Sequence, residues 1–514
     1  MIKNQIKNLF LIACFSFLIL SCKNNKKSSY PEFNKAYSEF IDIAVNELGT
    51  KHGLALAVIK DDAIIFEKYS GIANVLTGEK VDEFTLFYIA SITKSFTALA
   101  ALSLEEKGKL SLDTSLAAYF PEINFDPALK ADKITIHELI IHTSGIEIPG
   151  MINSTAYTGI HDEELLFNQL KSLSKVNENA PFGKFEYTNL GYNILGMILK
   201  REFGKDWKSI VEEEVFTTLQ MKHSSTNMST AKNNGWKVAK PHTQLNPARE
   251  LKRLYLEKKD NIMHAAGGII STPRDMSKYI IMHLNKGKLN GKQVFQADLI
   301  TKSQLKFTEQ TGTFLGVKDF GYGYGWNQST TSLGDTIIQH SGGFTGAVAN
   351  VTFNPSNKTG IVVMANEKSR MGIFLTTQLT SYVFDYFSGR KNIKEYYTKK
   401  IKDFNTQIKD RIIAVHAKNK RRKTVKWNLE LPLSNYVGVY KSELFGDLII
   451  KQTSNGLIAK LGNLKSTTAQ AGKIKNSLNV EMVPGRWKYI IFKLKNGKVN
   501  EAIWDGQKYF AISK

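Results

Sequence analysis

The segment Tyr88-Ile89-Ala90-Ser91-Ile92-Thr93-Lys94-Ser95-Phe96-Thr97 decides how this chain is read. An apolar stretch from Phe84 to Ala90 leads into it, and Phe96, Leu99 and Leu102 follow at helical spacing. The pattern predicts an amphipathic helix that begins near Ser91 and runs towards Lys107, with Gly108 as its stop. On such a helix Lys94 lies one turn beyond Ser91 on the same face, close enough for its amine to take the serine proton. The helix dipole also stabilises negative charge developing at an N-terminal serine. A lysine base must be neutral, and burial lowers a lysine pKa. The same spacing recurs at Ser172/Lys175, Ser229/Lys232, Ser303/Lys306 and Ser388/Lys391. Those four sit in polar stretches with no helix start behind the serine, which leaves Lys94 as the lysine placed for burial.

Other chemistries are narrowed by composition. The chain has 514 residues, 42% hydrophobic and 23% charged, with 11 prolines and no tandem repeat. That is an ordinary globular composition, long enough for two or more domains with a large core, and it excludes a mini-protein, a fibre or a disordered chain. The two cysteines, Cys14 and Cys22, fall within the first 22 residues, so a disulfide framework, a cysteine zinc site and a catalytic cysteine are excluded. His137-Glu138-Leu139-Ile140-Ile141-His142 is one residue too long for the zinc-protease motif, because histidines five apart do not share a helix face. No metal and no cofactor is expected. A Gly-x-Ser-x-Gly elbow is absent, since Ser341 has Gly343 after it but Gln339 before it.

Lys3 and Lys7 precede an apolar run from Leu9 to Leu20, followed by Ser21-Cys22 and a polar stretch from Lys23 to Ser29. The run is short for a bilayer span, which takes roughly 20 residues. Ile19-Leu20-Ser21-Cys22 resembles a bacterial lipobox. It implies a signal peptide over 1–22, lipidation of Cys22 and a polar tether over 23–34; a plain signal peptide or an uncleaved anchor is the other reading. The expectation is an exported protein, lipid-anchored to a bacterial membrane and facing the periplasm or the cell exterior.

From 35 to 389 helix and strand patterns mix. Leu54 to Ile59 and Ala63 to Tyr69 form a hairpin around Lys60-Asp61-Asp62, and Gly346 to Phe353 and Gly360 to Ala365 form a second strand pair. Strands at both ends with helices between predict a mixed α/β domain whose sheet brings the two ends together. Residues 390–430 concentrate charge. Within 390–427 there are 14 Lys/Arg against three acids, half of the chain's net +22. Tyr397, Ile401, Phe404, Ile408, Ile412 and Val415 make one apolar stripe, so a basic connector helix docked by that stripe is expected. Its basic face is solvated or lies against anionic lipid, and nucleic acid is not an expected partner. Residues 431–514 alternate strands with Asn455-Gly456, Asn496-Gly497 and Asp505-Gly506, turns whose two central residues need φ > 0. A small β-barrel or sandwich follows, without a catalytic constellation.

Several stretches complete the pattern around Ser91. They are Ile134-Thr135-Ile136-His137-Glu138-Leu139-Ile140-Ile141-His142-Thr143-Ser144-Gly145, the Tyr187-Thr188-Asn189 motif within 181–192, Ala266-Gly267-Gly268 through Asp275, and Gly321-Tyr322-Gly323-Tyr324-Gly325-Trp326. In this order, over about 35–385, they resemble the serine β-lactamases and penicillin-binding proteins, in particular the class C β-lactamase-related hydrolase branch. The resemblance implies an α+β domain of the β-lactamase/transpeptidase type, with an antiparallel sheet and a helical region, and the C-terminal β unit resembles one appended to some members. The family's third motif, Lys-Thr-Gly or His-Ser/Thr-Gly on an edge strand, has two candidates here. Lys358-Thr359-Gly360 follows a turn and enters a strand; His340-Ser341-Gly342 stands where the family order requires it and is assigned.

The roles implied by the resemblance are these. Ser91 is the nucleophile, and Lys94 with Tyr187 is the general base and then acid. The N–H groups of Ser91 and Gly343 form the oxyanion hole. Asn189, His340, Ser341 and Gly342 bind substrate, and Gly342 and Gly343 let it lie close to the strand. His340 takes the place of a carboxylate-binding lysine and is mostly neutral near pH 7. That departure favours esters or amides over carboxylate-bearing substrates. Tyr187 can also be read as a core tyrosine, and His137 and His142 as packing or helix-end residues. Three functions stay open: an ester, amide or peptide hydrolase; a β-lactamase or D,D-peptidase; and a non-catalytic penicillin-binding-like protein. A small-molecule or peptide substrate is the expected partner, and the oligomeric state is not legible.

Overall fold

The computed structural model describes residues 30–314 and 317–512. The expected signal peptide, Cys22 and the tether up to residue 29 lie outside the described residues. Helix α1, Pro31–Leu48, opens on a proline and stops at Gly49, which takes φ 58°. The hairpin follows as β1 (Leu54–Lys60) and β2 (Ala63–Ser70). In β1 the period-2 alternation sends residues to two cores. Ala55, Ala57 and Ile59 join the core shared with the helical region, and Leu54, Leu56 and Val58 join the one under the terminal helices. A sheet buried on both faces explains why these strands read as unbroken apolar runs.

The remaining strands of this sheet are β3 (Thr308–Phe314), β4 (Val317–Tyr322), β5 (Asn327–Thr330), β6 (Thr336–Phe344), β7 (Ala347–Asn354) and β8 (Thr359–Ala365). Their order is β3-β4-β5-β6-β7-β8-β1-β2, antiparallel throughout. The N-terminal hairpin therefore closes on the late strand β8, as the sequence pattern predicts. Between them lie α2 (Thr93–Glu106), α3 (Leu190–Phe203) and α4 (Pro273–Leu284), with α4 packed on β1 and β8. Helix α2 is not amphipathic as expected: every residue from Thr93 to Leu104 is buried, because the helical region and the sheet enclose it on all sides.

Helix α5 (Arg370–Phe387) covers β7 and β8, and α6 (Ile393–Arg422) docks on α1. Tyr397, Ile401, Ile408 and Ile412 are buried, but Val415 is 41% exposed. The stripe thus ends one turn early, because α6 outruns the helix it packs against. The C-terminal strands are β9 (Gly438–Ser442), β10 (Gly446–Thr453), β11 (Gly456–Leu461), β12 (Leu464–Lys465), β13 (Gln470–Ala471), β14 (Ser477–Val483), β15 (Arg486–Lys495), β16 (Lys498–Trp504) and β17 (Gln507–Ala511). They form one antiparallel sheet in the order β12-β11-β10-β9-β17-β16-β15-β14-β13, curled so that β11 and β12 lie against β14. Asn496-Gly497 and Asp505-Gly506 both take positive φ. At Asn455-Gly456 the expectation fails, since the hairpin turns on Ser454-Asn455 and of the pair Gly456 alone is left-handed. Tyr436, Leu448 and Tyr509 of this unit share a core with Leu86, Tyr88 and Phe344 of the larger domain, so the β unit is fused to the segment around Ser91.

Candidate active site

Ser91 occupies a 3-10 turn, Ala90–Ile92, immediately before α2. Ala90 takes φ +49°, a left-handed conformation costly for an L side chain, so the chain is strained one residue before the serine. The turn is held from both sides. Thr93 Oγ1 accepts the Ile269 N–H at 3.1 Å and Thr97 Oγ1 donates to the Ala265 carbonyl at 2.8 Å, fixing 265–269 along α2. On the other side lies β6. Strand β5 pairs with β6 only over 336–339, so residues 340–344 form a local edge inside the sheet, and the Ser91 turn packs against it.

Lys94 is fully buried. Its Nζ donates to Asn189 Oδ1 at 2.7 Å and to the Ala266 carbonyl at 2.9 Å, and it lies 4.8 Å from the Tyr187 ring centre. None of these partners carries a negative charge, and burial pushes the amine well below its ordinary pKa. Tyr187 sits on the loop leading into α3; it is 43% exposed, but desolvation around its hydroxyl holds the pKa above the ordinary value, with Ser91 acting the other way. Asn189 is the residue on which α3 begins.

His340 is 2% exposed. Its Nδ1 faces the Ser341 carbonyl at 2.7 Å and its Nε2 the Tyr322 hydroxyl at 3.4 Å. Burial first, then the Lys94 charge, pull its pKa down to about 3, so the ring is neutral at any working pH. Ser91, Lys94, Tyr187, Asn189 and His340 thus converge. Ser341 does not: it points to the opposite face of β6, into a cavity under α5 and α6 that also holds Thr377 and Asp385. Strand alternation separates neighbours that the linear motif lists together. The glycines also have a packing reason of their own. A Cβ on Gly342 would meet the Ile89 carbonyl at 1.8 Å, and one on Gly343 would meet the Lys368 side chain at 2.5 Å. Their missing side chains make room for the Ser91 turn and for Lys368. Lys358-Thr359-Gly360 lies at the far end of the sheet, opposite Asn354 and Phe353.

Sequence reasoning did not single out Tyr322 or the Ala266 carbonyl, and it left His142 among packing residues. His142 takes φ +66°, accepts the Thr188 N–H at 3.4 Å, and packs with tilted rings 4.6 Å from Tyr187 and 4.8 Å from Tyr322. It fixes the loop that carries Tyr187. His137 lies apart from this cluster, its Nδ1 2.6 Å from the Tyr324 hydroxyl. Beside Tyr187 and Asn189 opens a cavity of about 640 Å³. Its walls include Glu147, Glu186 and, from the β16–β17 turn of the C-terminal sheet, Asp505. Among the described residues no group of three His, Cys, Asp or Glu is placed to hold a metal ion.

The family model Beta-lactamase matches residues 41–378. Beta-lactamase-like protein 2 of Dictyostelium discoideum is 30% identical over 308 residues, which cover 55% of this chain and 53% of that protein, so the match spans about half of the relative's length. The octameric penicillin-binding protein homologue from Pyrococcus abyssi superposes with a TM-score of 0.58 at 21% identity, covering 92% of this chain and 99% of that one. The D-amino acid amidase from Ochrobactrum anthropi SV3 superposes at 0.57 and 20% identity, covering 70% of this chain and all of that one.

Proposed function

The chain belongs to the β-lactamase family, and from that premise we propose that it is a serine hydrolase that forms an acyl-enzyme on Ser91 and cleaves an ester, amide or peptide bond. The observation that carries the reading is Lys94: a buried amine, without a carboxylate partner, one helical turn from Ser91 and against the Tyr187 ring. A neutral amine there is a base. Ser91 Oγ attacks the acyl carbonyl while its proton passes to Lys94 through the Tyr187 hydroxyl. The N–H groups of Ser91 and Gly343 hold the oxyanion, each donor contributing about 3–4 kcal/mol in comparable sites. The same proton then goes to the leaving oxygen or nitrogen as that bond breaks. Water attacks the acyl-enzyme with the pair taking its proton, the bond from the acyl carbon to Ser91 Oγ breaks as that proton returns to Oγ, and the acid departs.

The test is turnover of a short-chain p-nitrophenyl ester by a soluble protein starting after Cys22, beside Ser91→Ala. Loss in the variant supports the reading, and equal rates in both proteins would sink it. Acylation by penicillin separates a β-lactamase or D,D-peptidase from other acyl hydrolases. Export with a lipid on Cys22 is part of the proposal, supported by the lipobox-like Ile19-Leu20-Ser21-Cys22. Labelled palmitate entering the full-length chain but not Cys22→Ala is the expected result.

A further inference from the structure

The acyl-transfer chemistry makes no use of α6, the basic helix, and the two halves of that helix sit in different surroundings. The first half lies on α1: Lys394 Nζ pairs with Glu39 at 3.0 Å, and Asn405 Nδ2 donates to the Glu47 carbonyl at 2.8 Å. Helix α1 ends at Leu48, whereas α6 runs on to Arg422. From 413 to 421 every residue is exposed, so about 12 Å of helix has no cover on any side. This bare end keeps apolar side chains in water. Ile413 is 67% exposed, and Val415 and Trp427 are exposed too. So is Ile474, next to the Lys473 carbonyl that Asn428 binds.

Charge gathers at the same end. Residues 409–427 hold eight Lys/Arg against the single acid Asp410, a net +7 out of the chain's +22. Among the described residues none of these eight forms an ion pair, whereas Arg390, Lys394 and Lys399, nearer the start of the helix, do. Arg422 lies 4.8 Å from the Trp487 ring centre and attracts Glu481 without pairing with it. Lys402, Lys409, Ile413, His416, Lys420 and Lys423 follow one another at spacings of seven, four and three, which puts them on one exposed stripe. At the end of the stripe, His416, Lys420 and Lys423 face Thr467, Gln470 and Trp487 of the C-terminal sheet across a cavity of about 500 Å³. Among the described residues no carboxylate lines it.

Like charges crowded without a counter-charge repel one another, and an anionic surface relieves that repulsion. Nucleic acid would answer the charge alone. A bilayer answers the apolar side chains as well, because aliphatic groups enter the acyl boundary and tryptophan favours the headgroup level. The start of the described chain adds a geometric reason. Tyr30 packs edge-on to Phe387 at 5.8 Å, beside the start of α6, and the basic end lies about 45 Å further along the helix. Residues 23–29 reach roughly 25 Å when extended. A lipid on Cys22 would hold one end of α6 and leave the other free to swing.

We propose that the end of α6, from Lys409 to Trp427, docks this protein on the surface of an anionic phospholipid bilayer, with the lysine stripe on the headgroups and Ile413 at the acyl boundary. It supplies a second contact that lays α6 along the membrane. The inference does not use the acyl-enzyme reading, and it is tested without Cys22.

Co-sedimentation of the protein starting after Cys22 is measured with vesicles of phosphatidylcholine, alone or with about one-third phosphatidylglycerol. The mixed vesicles should be bound about 100-fold more tightly or better, and the gain should vanish at about 0.5 M salt. Each basic residue at such a surface is worth about fivefold, so Lys409→Gln, Lys420→Gln and Lys423→Gln together should cost about 100-fold. All three are exposed, so the melting temperature should not change. No cysteine follows Cys22, so Ile413→Cys takes a single environment-sensitive fluorophore. Its emission should shift to the blue on the mixed vesicles. The same label at Leu305→Cys, next to the α13-equivalent turn that Lys302 ties to Glu105 of α2, should not shift. Equal binding to both vesicles, unchanged binding by the triple variant, or an unshifted label at 413 overturns the proposal. Tighter binding of duplex DNA than of the mixed vesicles, at equal phosphate and salt, overturns it in favour of nucleic acid. None of these readouts uses turnover, so failure here leaves the hydrolase reading standing.

Discussion

At the scale of single residues, the site depends on one buried amine and on a strand that can approach it. As the proposed base Lys94 must be neutral, and its pKa is lowered by burial, so the proposed ester turnover should rise with pH through that lowered value and then level off. Lys94→Arg, which stays protonated, should lose on the order of 10²–10⁴-fold in kcat/KM on a p-nitrophenyl ester. The two faces of β6 predict unequal effects for adjacent substitutions. Gly342→Ala drives a methyl into the Ile89 carbonyl and pushes β6 away from the Ser91 turn, so both turnover and unfolding free energy should fall, the latter by about 1–3 kcal/mol. Ser341→Ala, on the face under α5, should leave kcat/KM within about twofold. A kinetic loss from Ser341→Ala equal to that from Gly342→Ala would contradict this placement.

At the scale of elements, α6 separates what its sequence joins. Its stripe continues to Val415, but burial ends at Ile412. Ile401→Ala should cost about 2–5 kcal/mol in urea unfolding, while Val415→Ala should stay within about 0.5 kcal/mol. Similar losses at both positions would mean that the end of α6 is covered in solution. The hairpins of the C-terminal sheet were legible in the same way. Asn496-Gly497 and Asp505-Gly506 name their turns because few residues tolerate φ > 0, whereas the Asn455-Gly456 hairpin is set by register and turns one residue earlier.

At the scale of the whole molecule, burial without ion pairing sets the acid response. His52 is pushed down to about 4, and His283 and His340 to about 3, each chiefly by desolvation. A histidine depressed in the folded state is neutral there while the unfolded chain binds a proton below its ordinary value near 6.5. Stability from these groups is therefore full above pH 6.5 and drains as pH falls towards 3–4, with each contributing a slope of up to about 1.4 kcal/mol per pH unit. His283→Gln should reduce the slope of unfolding free energy between pH 6 and 5 by about one proton; an unchanged slope would show that this ring is protonated in the folded protein. The fusion of domains belongs to this scale too. Asp505 faces the cavity beside Tyr187, so Asp505→Ala should change KM for long substrates more than for a short ester.

The sequence by itself determined the local grammar. The Ser91-Ile92-Thr93-Lys94 turn, the N-terminal hairpin and the basic helix follow from spacing, period and turn chemistry, which act over a few residues, while the Tyr187-Thr188-Asn189 loop is picked out by resemblance to a family motif. Tertiary structure decided what those rules cannot reach. It put Ser341 on the far face of β6, used Gly342 and Gly343 for approach by Ile89 and Lys368, set His142 and Tyr322 around Tyr187, and brought Asp505 to the cavity beside Tyr187 from more than 300 residues away. Contacts across such separations depend on how whole layers pack, and no short pattern encodes that.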